Sequence, residues 1–158
     1  MRNNSGFSLI ELIVVVAIIA LMSTGTMAGL GYLSLANTSK CATKIDSGFT
    51  KLKSKNMAKA DTTYMHLYNY NDNFYIVYND LDETSFTPNG TGEQIANSKV
   101  QVSMDDDPLE NGESICFSIR KKDGSFVNTL NPTSKIVVSG QTSKTITIVT
   151  STGKHFIE

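Results

Sequence analysis

The sequence predicts an α+β fold, a long N-terminal helix whose second half packs on an antiparallel β-sheet head. Three observations carry that expectation. No charged residue falls between Glu11 and Lys40, and the first half of that interval is almost entirely Val, Ile, Leu, Ala and Met. Next, Cys41, Ile45, Phe49 and Leu52 stand at i, i+4, i+8 and i+11, the spacing of one helical face. After Asp61 the chain turns to short runs rich in Tyr, Phe, Ile and Val, punctuated by Asn, Asp and Gly. One helix followed by strands reads as a helix layer on a sheet.

The first element is the apolar run. A bilayer core needs about 20 apolar helical residues, and Leu12 to Leu35 supplies that length. A cleaved secretory signal would show a basic leader, a shorter apolar stretch and an A-x-A-like site. Here Arg2 is the only base before the run, and Thr26-Met27-Ala28-Gly29-Leu30 is the nearest approach to such a site. The run is therefore expected to be retained. Glu11 is its anomaly. An acid at the centre of a spanning helix costs about 2.5–3.5 kcal/mol, less near the end. It either reaches the headgroup level or marks a partner.

Gly6-Phe7-Ser8-Leu9-Ile10-Glu11, followed by an unbroken apolar helix, resembles the class III signal of type IV prepilins and of the pseudopilins of type II secretion and competence systems. The likeness covers about the first thirty residues, and the remainder of the chain carries no comparable motif. The resemblance implies a leader of residues 1–6, cleavage between Gly6 and Phe7 by a membrane prepilin peptidase, and N-methylation of Phe7. It implies a helix over 7–35 that first anchors the subunit and then forms the filament core. It also implies a role for Glu11. Cleavage leaves a positive α-amine on Phe7, which is costly to bury unpaired. In this family the glutamate of a neighbouring subunit pairs with it, and a buried pair of this kind sets register more than it adds stability.

Charge counting points the other way on orientation. Arg2 lies before the helix, while Lys40, Lys44 and Lys51 follow it, so the positive-inside rule alone would leave the large domain in the cytoplasm. The more specific prepilin signal is preferred. The helix is expected to continue as an amphipathic half, 36–61, with lysines at 40, 44, 51, 53, 55 and 59 mostly off its apolar face. Upstream, Gly25, Gly29 and Gly31 each cost roughly 1 kcal/mol of helix propensity. Gly25-x-x-x-Gly29 is also a close-approach spacing for helices in lipid.

The head, 62–158, reads as strands over Thr63–Tyr70, Phe74–Asn79, Lys99–Met104, Ser114–Lys121, Lys135–Ser139, Lys144–Thr150 and His155–Ile157. Asn71-Asp72-Asn73 is expected to turn the first hairpin, and Asp123-Gly124 to make a two-residue turn into Phe126 and Val127. The polar stretches Asp80–Ser98 and Asp105–Gly112 read as surface connections. Tyrosines 64, 68, 70, 75 and 78 read as cross-strand packing pairs or as an exposed sticky face. The charge is unevenly spread. Six lysines and one acid lie between Lys40 and Lys59, eleven acids and one base between Ala60 and Ser118, and six bases and two acids from Ile119 onward. Such blocks are solvated faces or complementary patches between copies.

Two cysteines occur, Cys41 and Cys116, so any intrachain disulfide joins them. An extracytoplasmic location would permit the bridge, and a loop this long gains roughly 4 kcal/mol in the chain-entropy model. The strand parity of Ile115, Phe117 and Ile119 opposes it, because Cys116 then faces away from the helix; two buried thiols are the alternative. Few residues suggest chemistry. His66 and His155 lack ligand-spaced partners for zinc, and no phosphate-binding glycine loop or nucleophile elbow is present. Asp105, Asp106 and Asp107 with Glu110 are a calcium candidate without EF-hand spacing, against a solvated loop.

The expectation is a structural subunit, a major or minor pilin, with no enzymatic activity, no cofactor and no small-molecule substrate. Its partners would be itself and other pilins, the prepilin peptidase, an assembly platform protein with its ATPase, and the cytoplasmic membrane before assembly into a surface filament. The rivals are a pseudopilin of a secretion or DNA-uptake system, a tip subunit acting as an adhesin, and a membrane-anchored enzyme. A net charge of −1 and a pI near 6.1 argue against a DNA-binding head.

Overall fold

The computed structural model describes residues 8–58, 61–127 and 131–158, with helix side chains described at 8–22 and 36–58. Helix α1 runs Leu9–Ala58, close to the expected end near Asp61. The chain divides into two compact units, Met1–Leu33 and Ser34–Glu158. In the second, α1 packs on nine strands: β1 (Tyr64–Tyr70), β2 (Asn73–Asn79), β3 (Glu93–Ala96), β4 (Gln101–Met104), β5 (Asp107–Pro108), β6 (Ser114–Phe117), β7 (Thr133–Ser139), β8 (Ser143–Val149) and β9 (Lys154–Ile157).

The strands form two antiparallel sheets rather than one. The first has the order β3-β2-β1-β6 and the second β5-β4-β7-β8-β9. The helix face drawn from the sequence closes both. Cys41, Ile45, Phe49 and Leu52 are fully buried and share one core cluster with Met65, Leu67 and Phe117 of the first sheet and Val102, Ile136, Ile146 and Ile148 of the second. Phe49 stands at the junction. Its ring meets Phe117 edge-on at 5.0 Å, Phe126 at 5.4 Å and the imidazole of His155 at 5.4 Å. Gly48 permits the close approach of α1 to β1 and β2, since a Cβ there would lie 3.1 Å from both Met65 Sδ and Tyr78 Oη.

A buried amide locks the exit from the helix. Asn56 Nδ2 donates to Thr63 O at 2.9 Å, and Thr63 N–H donates back to Asn56 Oδ1 at 2.6 Å. This satisfies backbone groups that α1 and β1 would otherwise bury unpaired.

Turn chemistry sets the registers. Asn71 and Asp72 both have positive φ, 50° and 57°, as the tight two-residue hairpin turn requires. Asn73 therefore belongs to β2, opposite Tyr70, and not to the turn. The expected turn at Asp123-Gly124 is longer than two residues. Ile119 bridges Phe126, and Gly124 N–H donates to Arg120 O at 2.9 Å, so the reversal runs from Arg120 to Ser125. Strands β3 and β5 lie inside the two stretches read as connections. Only Ile95 and Ala96 of β3 are buried, and β5 has two residues, too few for a periodic signal.

Candidate functional site

In the first unit Ser8 stands before α1 as its N-cap. Ile10 N–H donates to Ser8 Oγ at 3.3 Å, while Ser8 N–H donates to Glu11 Oε2 at 3.4 Å. This is a variant of the capping box: the Glu11 carboxylate takes the Ser8 amide, the serine hydroxyl takes the Ile10 amide, and Glu11 N–H donates to Ser8 O at 3.0 Å. The pattern Ser-x-x-Glu before an apolar run could have been read from the sequence. Glu11 thus has a local partner in the single chain, in addition to any partner in an assembly.

Apart from Glu11, the surface that follows is apolar on every side. From Leu9 to Met22 each described side chain is exposed, including Ile10 at 71%, Val15 at 48% and Leu21 at 76%. A helix that is hydrophobic all round is buried in use, by protein or by lipid. Among the described residues no helix is long and apolar enough to cross a membrane. The expected span, Leu12 to Leu35, runs into residues 23–35, whose side chains lie outside the described residues. The same holds for the surroundings of Gly25, Gly29 and Gly31. The cleavage pair Gly6 and Phe7 also lies outside the described residues.

In the second unit the two cysteines are buried thiols, not a disulfide, and strand parity is the reason. Cys116 lies opposite His66 in the β1–β6 register. His66 stacks on Phe86 at 4.0 Å, on the sheet face opposite the one where Met65 approaches α1. Cys41 belongs to the helix side of the core. The sheet stands between the two sulfurs, so the expected bridge is corrected. Burial pushes the Cys41 thiol up to about 12, against a smaller opposite pull from the Lys44 charge. That is the setting of an inert thiol rather than a nucleophile.

Asp105, Asp107 and Glu110, the weak calcium candidate, are not gathered into a site. Among the described residues no group of three or more His, Cys, Asp or Glu is placed to hold a metal ion. Asp105 and Asp106 occupy the β4–β5 turn with φ of 51° and 72°. Asp105 Oδ1 accepts from Lys135 N–H at 2.7 Å, and its Oδ2 accepts from Asn131 Nδ2 at 3.1 Å. Burial raises the Asp105 pKa, but these hydrogen bonds outweigh it and hold the carboxyl below its usual range. Asp105 is spent on bracing the turn. Asp107 lies in β5, and Glu110 N–H is taken by Glu113 Oε2 at 2.8 Å.

The histidines are placed apart. His155 Nε2 lies 3.3 Å from Thr50 Oγ1 and 3.7 Å from Asp46 Oδ1, tying β9 to α1. Of the tyrosines, Tyr68 and Tyr75 form the cross-strand stack, at 5.5 Å, and Tyr78 lies under the ammonium groups of Lys51 and Lys55 at 4.7 and 4.9 Å. Lys44 Nζ donates to Glu93 Oε1 at 2.8 Å, so part of the helix's positive charge is spent within the head.

Residues 1–27 match the family model described as the prokaryotic N-terminal methylation motif. No curated protein and no solved structure matches the chain.

Proposed function

Starting from a chain that carries the class III prepilin signal of type IV pilins and pseudopilins, we propose that it is a structural pilin that polymerises into a cell-surface filament. The peptidase removes residues 1–6 and methylates the new terminus, Phe7. The segment 7–35 anchors the subunit in the cytoplasmic membrane. It then leaves lipid for the filament core, driven through the platform protein and its ATPase. Residues 36–61 carry the head, 62–158, on the outside. Glu11 pairs with the Phe7 amine of a neighbouring copy and sets the stagger. The work is assembly, not catalysis.

The observation that carries this reading is the exposure of every described side chain from Leu9 to Met22, with Glu11 as the single charge among them. A surface without a polar face suits an environment that surrounds it, first lipid and then like helices. An enzyme anchor would have no use for an acid one turn into the helix.

Shearing cells and imaging the released material with an antibody to the head tests the proposal. Filaments labelled along their length are expected. Label confined to tips or bases would instead make the chain a minor subunit or a pseudopilin, and label that stays wholly in the membrane would overturn the filament reading.

A further inference from the structure

The connection between β2 and β3 lies as a strap on the outer face of the first sheet. Asp82 folds its first turn: Oδ1 accepts from Ser85 N–H at 3.0 Å and from Thr84 Oγ1 at 2.9 Å, and Phe86 N–H donates to Asp82 O at 3.2 Å. Phe86 is thereby laid on His66 at 4.0 Å, nearly parallel at 18°, and edge-on to Tyr68 at 5.2 Å. At the far end Gly92 N–H donates to Tyr68 Oη at 3.0 Å. His66 is fully buried beneath this strap. Its Nε2 lies 2.9 Å from Leu81 O. A carbonyl only accepts, so Nε2 carries the proton. The other ring nitrogen, Nδ1, is buried without a hydrogen-bond partner.

We propose that His66 is a proton-operated latch: the neutral imidazole holds the strap 80–92 on the sheet, and the imidazolium releases it. Protonation must occur at Nδ1, and this places both a donor and a full charge at a buried nitrogen without a hydrogen-bond partner. Four effects oppose release. The Nε2–H bond to Leu81 O and the Asn79 side chain favour the charged ring, Glu83 and Asp82 on the strap attract it, and a cation stacked on Phe86 is drawn to the ring face. The Glu83 and Asp82 carboxylates, however, are solvent-facing, and Asp82 is already engaged by Ser85 and Thr84, so their pull is screened. The remaining polar neighbours are Cys116 opposite in β6 and Tyr68 along β1, both neutral near pH 7. Burial therefore wins, and the His66 pKa lies below its ordinary value.

The sign follows. A histidine with a lowered folded pKa contributes stability that is fully present above its unfolded pKa, about 6.5, and is lost as pH falls toward the folded value. The opening constant of the strap rises up to about tenfold per pH unit in that window. Release uncovers the ring faces of His66, Tyr68 and Phe86, an aromatic patch on the outside of the head. A latch of this kind makes contacts through that face conditional on acid.

Hydrogen exchange of the full chain in detergent micelles, corrected for intrinsic rates, reads this directly. Between about pH 7.5 and about pH 4.5 the amides of Leu81 and Phe86 should lose protection while β7 and β8 do not. His66→Phe keeps the stack and removes the titration, so its strap should be insensitive to pH. Should that variant prove labile at every pH, Phe86→Ala gives a second reading by NMR. Uncovering the ring should raise the His66 titration midpoint toward the ordinary value. Strap protection unchanged with pH in the wild type overturns the proposal. So does a loss that persists in His66→Phe, one that disappears in Asp82→Asn, or a midpoint unmoved in Phe86→Ala.

Discussion

Glu11→Gln separates the two jobs that Glu11 can hold, because glutamine also serves as the acceptor of a capping box but carries no charge. The capping bond from Ser8 N–H is long, 3.4 Å, and exposed. Such a bond is worth about 0.5 kcal/mol, the low end of the net range, or about twofold in an equilibrium. The substitution keeps most of even that. In a filament core the same change leaves the Phe7 amine buried without its counter-charge, a loss of about 3–5 kcal/mol per subunit contact. That is roughly two to four orders of magnitude in subunit affinity. Two assays separate the terms. Circular dichroism in micelles should show unchanged helix content, and sheared surface fractions should show filaments reduced below detection. Glu11→Ala should behave alike in assembly, with a slightly frayed helix start. Wild-type filament yield from Glu11→Gln would refute the register role and leave Glu11 as a cap alone.

Phe49→Ala removes a fully buried ring that meets Phe117, Phe126 and His155, and should cost about 3–5 kcal/mol in denaturant unfolding of the full chain. Gly153→Ala should exceed about 2 kcal/mol, since φ is +64° and the added Cβ would run into the Gly124 carbonyl; a change within error would contradict the tight loop contact. Cys41 and Cys116 should resist alkylation at about pH 8 in the native protein and both react once it is unfolded; a non-reduced mass lower by two hydrogens would restore the bridge.

The helix face was legible because one period runs unbroken from Cys41 through Leu52 and all four of its residues reach the core. The hairpin β1–β2 was legible for a similar reason, with Asn71 and Asp72 supplying the positive φ that the turn needs. Strand β3 was not, because its first two residues are exposed and charged or polar, and only Ile95 and Ala96 mark it. The split into two sheets has no local signature at all. The chain passes between the sheets three times, from β3 to β4, from β5 to β6 and from β6 to β7, and these choices are made by long-range packing around the shared core. His66 read as an isolated histidine, since its environment is supplied by Phe86 and Leu81, far along the chain. At the N-terminus the methylation motif was legible as a family pattern, and the cap formed by Ser8 and Glu11 has its own local signature, two residues standing three apart before an apolar run.

The central claim is that the apolar helix begins, in the working protein, at a new amino terminus created beside Glu11. Mass spectrometry of the N-terminal peptide from sheared surface material measures this directly. The account predicts a first residue of Phe7 carrying one N-methyl group, with residues 1–6 absent. A peptide that retains Met1–Gly6, or one that begins beyond Glu11, would contradict it.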